Sequence, residues 1–294
     1  MNAWTAGIAG SMVVALALGP EPQNRRVELD SADCSRHNMM FGQDQVAYAV
    51  QHAGAPMSAG VLDVQPDSNG GVRIEKGSGR DYSITACIGA GAESRDEAQR
   101  AADAVRLTVE GGRVRIKNPP SSRHWSVQLI IEAPDGAQIN AETSNGPIGI
   151  SGLSGTFTAR ASNGPIALDD VTGKVTARAA NGPISVKGSR GEFDVQTDNG
   201  PITVILTGNS WDGSLEAQAK NGPLHVRIPA DYRTGIEISS SRHSPWNCRV
   251  EACRGMSRDV NDGDRSVRIG VDPVTVRIST VNGPVTIEDA APRR

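Results

Sequence analysis

Few residues in this chain have the types and spacing that chemistry needs, and each group points to a different reaction. Asp169 and Asp170 are adjacent carboxylates. Together with Arg115-Ile116-Lys117, which is similar to a short motif of pectin-cleaving helices, they raise polysaccharide cleavage, where a pair of carboxylates divides the acid and base work. Adjacent strand residues point to opposite faces, so the two carboxylates converge only at a turn. No Gly-His-Gly accompanies them, and a solvated turn is the expected setting for both. His243, Cys248 and Cys253 are evenly spaced and raise a metal site, but a fourth ligand and a Cys-x-x-Cys spacing are missing. Asp262, Asp264 and Ser266 open like a calcium loop, yet Val267 stands where that loop needs glycine. No G-x-S-x-G elbow, Walker loop, G-x-G-x-x-G fingerprint or H-E-x-x-H helix occurs. The sequence predicts no catalytic residue, cofactor or metal, and no enzyme activity.

The four cysteines are an even number. Cys34 and Cys87 flank a repeat-like unit, and Cys248 and Cys253 are close in sequence; pairing in that order is expected, although four cysteines allow three pairings. Structural disulfides belong to oxidising compartments. Ala6 to Leu18 is apolar and ends in the A-x-A pattern Ala15-Leu16-Ala17, so residues 1–17 read as an export signal, although no Lys or Arg precedes them. The expected location is secreted, periplasmic or cell-surface. No stretch of the mature chain is long enough for a transmembrane helix. A net charge of -3 gives no nucleic-acid footprint.

The elements that must position these residues follow from a repeat. Gly146, Gly155, Gly164, Gly173, Gly182, Gly191 and Gly200 stand nine residues apart, and alternate ones lie in Asn-Gly-Pro triplets. Asn145, Asn163, Asn181 and Asn199 therefore recur every eighteen residues, and Asn221 and Asn282 continue the series. Apolar residues between the triplets alternate with period two, as in Ile166, Leu168 and then Val175, Ala177, Ala179. Each eighteen-residue unit is thus two short strands. Asn-Gly suggests hairpins and an antiparallel meander. The proline opposes that, because a residue before proline is driven to extended ψ and cannot close a type I′ turn. A parallel β-solenoid with one coil per unit is therefore expected. In it Asn takes a left-handed bend, Gly supplies freedom, Pro starts the next strand, and the asparagines stack along the axis.

One solenoid domain is expected over 25–290. Residues 25–135 form a degenerate N-terminal part, 136–228 the regular repeats, and 229–290 a C-terminal part. Asn69-Gly70-Gly71 and Gly111-Gly112 read as degenerate units, and Gly208 to Trp211 as a loop of four extra residues. Ser94-Arg95-Asp96-Glu97 is a capping box that opens a helix over 95–106, whose expected task is to cover a flank or end. Residues 239–266 read as a long loop rich in Arg, with Arg242, Trp246 and Arg249 as candidate partner contacts. The competing reading places Trp246 as a cap over the solenoid end, stapled by a disulfide.

The Asn-Gly-hydrophobic repeat, Cys34 with Cys87, the short helix, and Trp125-Ser126-Val127 leading to Pro134 resemble the DUF4097 family, bacterial adhesin-like proteins with β-strand repeats. The resemblance covers most of 30–290 but not 239–266. It implies a right-handed parallel β-solenoid on the outer side of a cytoplasmic membrane, with no catalytic residues to carry over. The function expected from all of this is a non-enzymatic scaffold for adhesion or envelope contact, with an envelope protein or surface glycan as partner. A carbohydrate-active β-helix enzyme and an envelope-stress sensor module are the alternatives.

Overall fold

The computed structural model describes Cys34, Phe41 and residues 43–121, 124–241, 244–250 and 264–290. The export signal expected over 1–17 lies outside these residues, as do Arg242 and Cys253. The chain opens with β1 (Gln45–Ala55), β2 (Leu62–Gln65), β3 (Gly70–Lys76) and β4 (Tyr82–Ala92). Helix α1 (Arg95–Ala104) follows, then β5 (Arg106–Glu110), β6 (Arg113–Lys117) and β7 (Trp125–Ala133). Next come β8 (Ala137–Thr143), β9 (Ile148–Ser151), β10 (Ser154–Ala161), β11 (Ile166–Asp169) and β12 (Thr172–Asn181). The regular part ends with β13 (Ile184–Gly188), β14 (Arg190–Asn199), β15 (Ile202–Leu206), β16 (Asp212–Asn221) and β17 (Leu224–Ile228). The last strands are β18 (Thr234–Ser241), β19 (Trp246–Cys248), β20 (Asp264–Ile269), β21 (Val271–Asn282) and β22 (Val285–Asp289).

The fold is an all-β parallel solenoid built from two eleven-stranded sheets. Each coil gives one strand to each sheet, as β10 and β11 do, and equivalent residues of successive regular coils lie side by side. Phe157 pairs with Val175, Val175 with Phe193 and Phe193 with Leu215. Inward rows such as Ile148, Ile166, Ile184 and Ile202 are buried along the stack, and both sheets share one apolar core.

The order of coils in space is not their order in sequence. The coil β2–β3 lies between β6–β7 and β8–β9, with β3 paired to both β7 and β9. At the other end the last coil, β21–β22, lies between β16–β17 and β18–β19. The chain passes from β17 to the outer coil first, then returns through β20, antiparallel to β18, and fills the gap.

The N-terminal part departs from simple coils. β4 runs antiparallel to both β1 and β7 and so extends one sheet beyond the solenoid. Gly111 and Gly112 close a two-residue hairpin between β5 and β6 rather than a coil corner, with φ of 55° and 76°. Positive φ at both central residues is what a type I′ turn requires. Helix α1 is capped by the Ser94 side chain, which accepts from the Glu97 N–H at 3.3 Å, and it buries Ala98 and Ala102 against β1 and β4. It stops two residues before the expected end at 106, because Val105 is extended and buried and Arg106 begins β5. The side-chain amide of Gln51 closes this end of the core. It donates to the Val105 carbonyl at 2.5 Å and accepts from the Leu107 N–H at 2.7 Å.

The triplet asparagines stack as an amide ladder. Asn163 donates to Asn145 at 3.1 Å, Asn181 to Asn163 at 3.0 Å and Asn199 to Asn181 at 3.0 Å. Asn221 donates to Asn199 at 3.2 Å and Asn282 to Asn221 at 3.0 Å, while Asn145 ends the row on the Ser68 carbonyl. The left-handed bend expected at these asparagines does not occur; positive φ outside glycine is confined, among the described residues, to Asp67, Asn118 and Asp170. Asn181 and Asn199 are the last residues of β12 and β14. Glycine is needed at this corner for close approach, because a Cβ on Gly182 would lie 2.2 Å from the Gly164 carbonyl oxygen. Buried Thr143, Thr197 and Thr280 donate to the carbonyls of Gly146, Gly182 and Gly222, which satisfies corner acceptors from inside.

Candidate binding groove

The regular coils display side chains in columns. Along β10, Phe157, Ala159 and Ala161 are buried, so Thr156, Thr158 and Arg160 face outward. The parallel register places Glu142, Arg160, Arg178 and Gln196 in one outward column across β8, β10, β12 and β14. Beside it runs a second column, one residue before the ladder asparagines: Ser162, Ala180, Asp198 and Lys220. Ser162 and Ala180 are small, so a trough opens between the columns. Asp198 and Lys220 are larger and joined by a 2.6 Å ion pair at its far end. The result is a groove of about 420 Å³, floored at Ala161 and Ala179 and lined by Glu142, Arg160, Gln196 and Lys220 among others.

Two arginines in this column behave differently for a reason that can be read from the register. The Arg178 guanidinium donates to the Asp194 carboxylate and, at 2.8 Å, to the Asp194 carbonyl. Asp194 lies one coil on and two residues back. The residue in the same relation to Arg160 is Thr176, which pairs with Asp194 across β12 and β14. Arg160 therefore lacks the carboxylate that holds Arg178, and it is exposed with no hydrogen-bond or ion-pair partner among the described residues. Glu142 stands directly opposite it on β8.

The residues singled out by sequence are dispersed. Asp169 ends β11 and accepts from Lys187 Nζ at 2.6 Å, and Asp170 sits in a left-handed turn at φ 51°. Cys34 and Cys87 are joined by a disulfide, with Cα atoms 5.4 Å apart. Cys248 is also disulfide-bonded. The segment 239–266 is not one loop: Ser239 to Ser241 belong to β18, Trp246 to Cys248 form β19, and 264–266 belong to β20. The serines of β18 obscure its alternation, since buried Ser240 continues the inward row of Ile236 and Ile238. Trp246 packs its half-buried ring on the core and donates its indole N–H to Ser240 Oγ at 2.5 Å. Arg249 is exposed and pairs with Glu288 at 3.2 Å. Trp246 and Arg249 thus each have a partner within the fold. Glu142, Arg160 and Ser162 were not singled out from sequence, although stepping by eighteen from Arg178 finds the first two.

Trp211, in the four-residue insertion, occupies the position of Leu153, Val171 and Ser189 in other coils, immediately before the strand. Its ring is buried edge-on to Phe193 with centroids 5.4 Å apart, and its N–H donates to the Gly191 carbonyl at 3.0 Å. Among the described residues no group of three or more His, Cys, Asp or Glu could hold a metal, and no helix is long and apolar enough to cross a membrane.

No protein-family model and no curated protein matches the chain. Among solved structures it is similar to a "putative adhesin" from Parabacteroides distasonis, at 10% identity over 85% of this chain and 98% of that one, with a TM-score of 0.42. It is also similar to a "putative adhesin" from Bacteroides fragilis, at 9% identity over 82% and 96%, TM-score 0.34. A "putative cell adhesion protein" from Clostridium sporogenes aligns at 10% identity over 82% and 99%, TM-score 0.29. Likeness of this degree leaves function to be argued from this chain's own geometry.

Proposed function

We propose that the chain is a non-enzymatic, extracytoplasmic module that presents its outer sheet faces to a component of the cell envelope. The observation that carries this reading is the register. From β8 to β17 equivalent residues of neighbouring coils lie side by side, across the insertion before β16 as well, so outward side chains stand in columns on one frame. Such a frame is suited to presenting an extended surface. The Cys34–Cys87 disulfide supports an oxidising compartment, secreted, periplasmic or at the cell surface. The sequence resemblance to the DUF4097 family points the same way. The carbohydrate-active alternative needs two carboxylates aimed at one bond. The Asp169 carboxylate is paired with Lys187 Nζ at 2.6 Å, which does not favour it.

The test is fractionation of the native organism, followed by binding of the purified, oxidised protein to isolated envelopes. The module reading expects an extracytoplasmic protein with no free thiol that sediments with envelopes. A cytoplasmic protein with reduced Cys34 and Cys87, or one that does not bind envelopes, would overturn it.

A further inference from the structure

We propose that the groove across β8, β10, β12 and β14 binds a linear acidic polysaccharide, with a uronate carboxylate on Arg160 and sugar hydroxyls on Glu142, Ser162 and Gln196. The proposal rests on the module reading above and names the partner chemistry of one face.

Three observations converge on it. The first is the unpaired guanidinium. Arg178, one coil away, is locked by Asp194, whereas the equivalent neighbour of Arg160 is Thr176. A free, planar guanidinium is the group best matched to a carboxylate, which it engages through two parallel N–H bonds. The second is shape. The groove runs along the solenoid axis, across the strands, for three strand spacings or about 14 Å. Small residues at Ser162 and Ala180 keep it open, and the Asp198–Lys220 pair closes one end. An extended chain fits such a trough. The third is the lining. Glu142 accepts hydroxyl hydrogens, Gln196 donates and accepts, and Ser162 does both. These are the partners of a hydroxyl-rich ligand, and an apolar segment would leave them unsatisfied.

The decisive experiment measures binding of the oxidised full chain to a panel of uronate oligomers, polygalacturonate included, and to the methyl ester of each. The expected result is binding of at least one acid oligomer, weakened tenfold or more by esterification, by Arg160→Gln, and by Ser162→Tyr, which obstructs the trough. Arg227→Gln, on the other sheet, is expected to bind like the wild type. Circular dichroism checks that each variant is folded. A wild type that binds no uronate oligomer overturns the proposal. So does equal binding of acid and ester, or full binding by folded Arg160→Gln. If those failures occur while the wild type still sediments with envelopes, the groove assignment falls and the module reading stands. If envelope binding fails as well, both fall.

Discussion

Replacing Gly182 by alanine tests whether neighbouring coils touch backbone to backbone at the Asn-Gly-Pro corner. The φ of Gly182 is not in the left-handed region, so alanine meets no conformational barrier there. The cost is steric. Its Cβ would stand 2.2 Å from the Gly164 oxygen and 2.7 Å from the Gly164 carbonyl carbon. Relieving that overlap needs a separation of more than about 1 Å, since carbon contacts relax near 3.5–4.0 Å. The bonds that span this corner include the Asn181 N–H to the Ser162 carbonyl at 2.8 Å and the Asn181 amide to Asn163 at 3.0 Å. Their loss costs about 1 kcal/mol each, and the strain of overpacking adds about 1–3 kcal/mol, for about 3–5 kcal/mol in all. Gly149 is the control: a Cβ there meets nothing within 4 Å, so Gly149→Ala is expected to be neutral or to stabilise by up to about 1 kcal/mol. Urea titrations followed by circular dichroism compare the two variants, and the m-value reports whether unfolding remains cooperative. A Gly182→Ala protein as stable as Gly149→Ala would refute the close-contact argument.

Asn163→Ala removes one ladder amide together with its bonds to Asn145 and from Asn181. It is expected to lower stability by about 1–2 kcal/mol in the same titrations, leaving the spectrum unchanged. Burial pushes the Tyr232 phenol up to about 12 from its ordinary 10.0. Because the folded pKa is the higher one, its contribution to stability is complete below pH 10 and is lost as pH rises from about 10 through about 12. Alkaline titration of phenolate absorbance is expected to show one tyrosine ionising only near the top of that range; all three ionising together near the ordinary value would contradict its burial.

The repeat was legible because a solenoid writes its geometry into its period. Phe157, Val175 and Phe193 stand eighteen apart in sequence and side by side in the sheet. The asparagine ladder followed from the same arithmetic. The conformation of the corner did not, since bending at Asn and close approach at Gly both favour Asn-Gly, and only the space around Gly182 separates them. The order of coils was hidden for a related reason. Every regular coil offers the same kind of edge, a backbone ladder flanked by Ile, Val or Ala, so local sequence does not say which coil will dock. Leu215 pairs with Val276, although residues 234–241 come first in the chain. The strand character of 239–241 was masked because serine at an inward position is read as loop. The groove lay in the difference between two coils, where Thr176 stands in place of the carboxylate that Asp194 supplies one coil later.

The central structural claim is that one stack carries these columns, and that the last coil lies inside it. Cysteine cross-linking tests this most directly. Gln218 is the register partner of Ser279, and Ser279 is the partner of Ser239. Coils stacked in sequence order would instead set Gln218 beside Ser239. Disulfides form only where Cα atoms lie within about 4.4–6.8 Å. Paired cysteine variants, oxidised and mapped by mass spectrometry, are expected to link 218 with 279 and 239 with 279, but not 218 with 239. The 239–279 link is expected in either order, so a 218–239 link with none between 218 and 279 would contradict the structure.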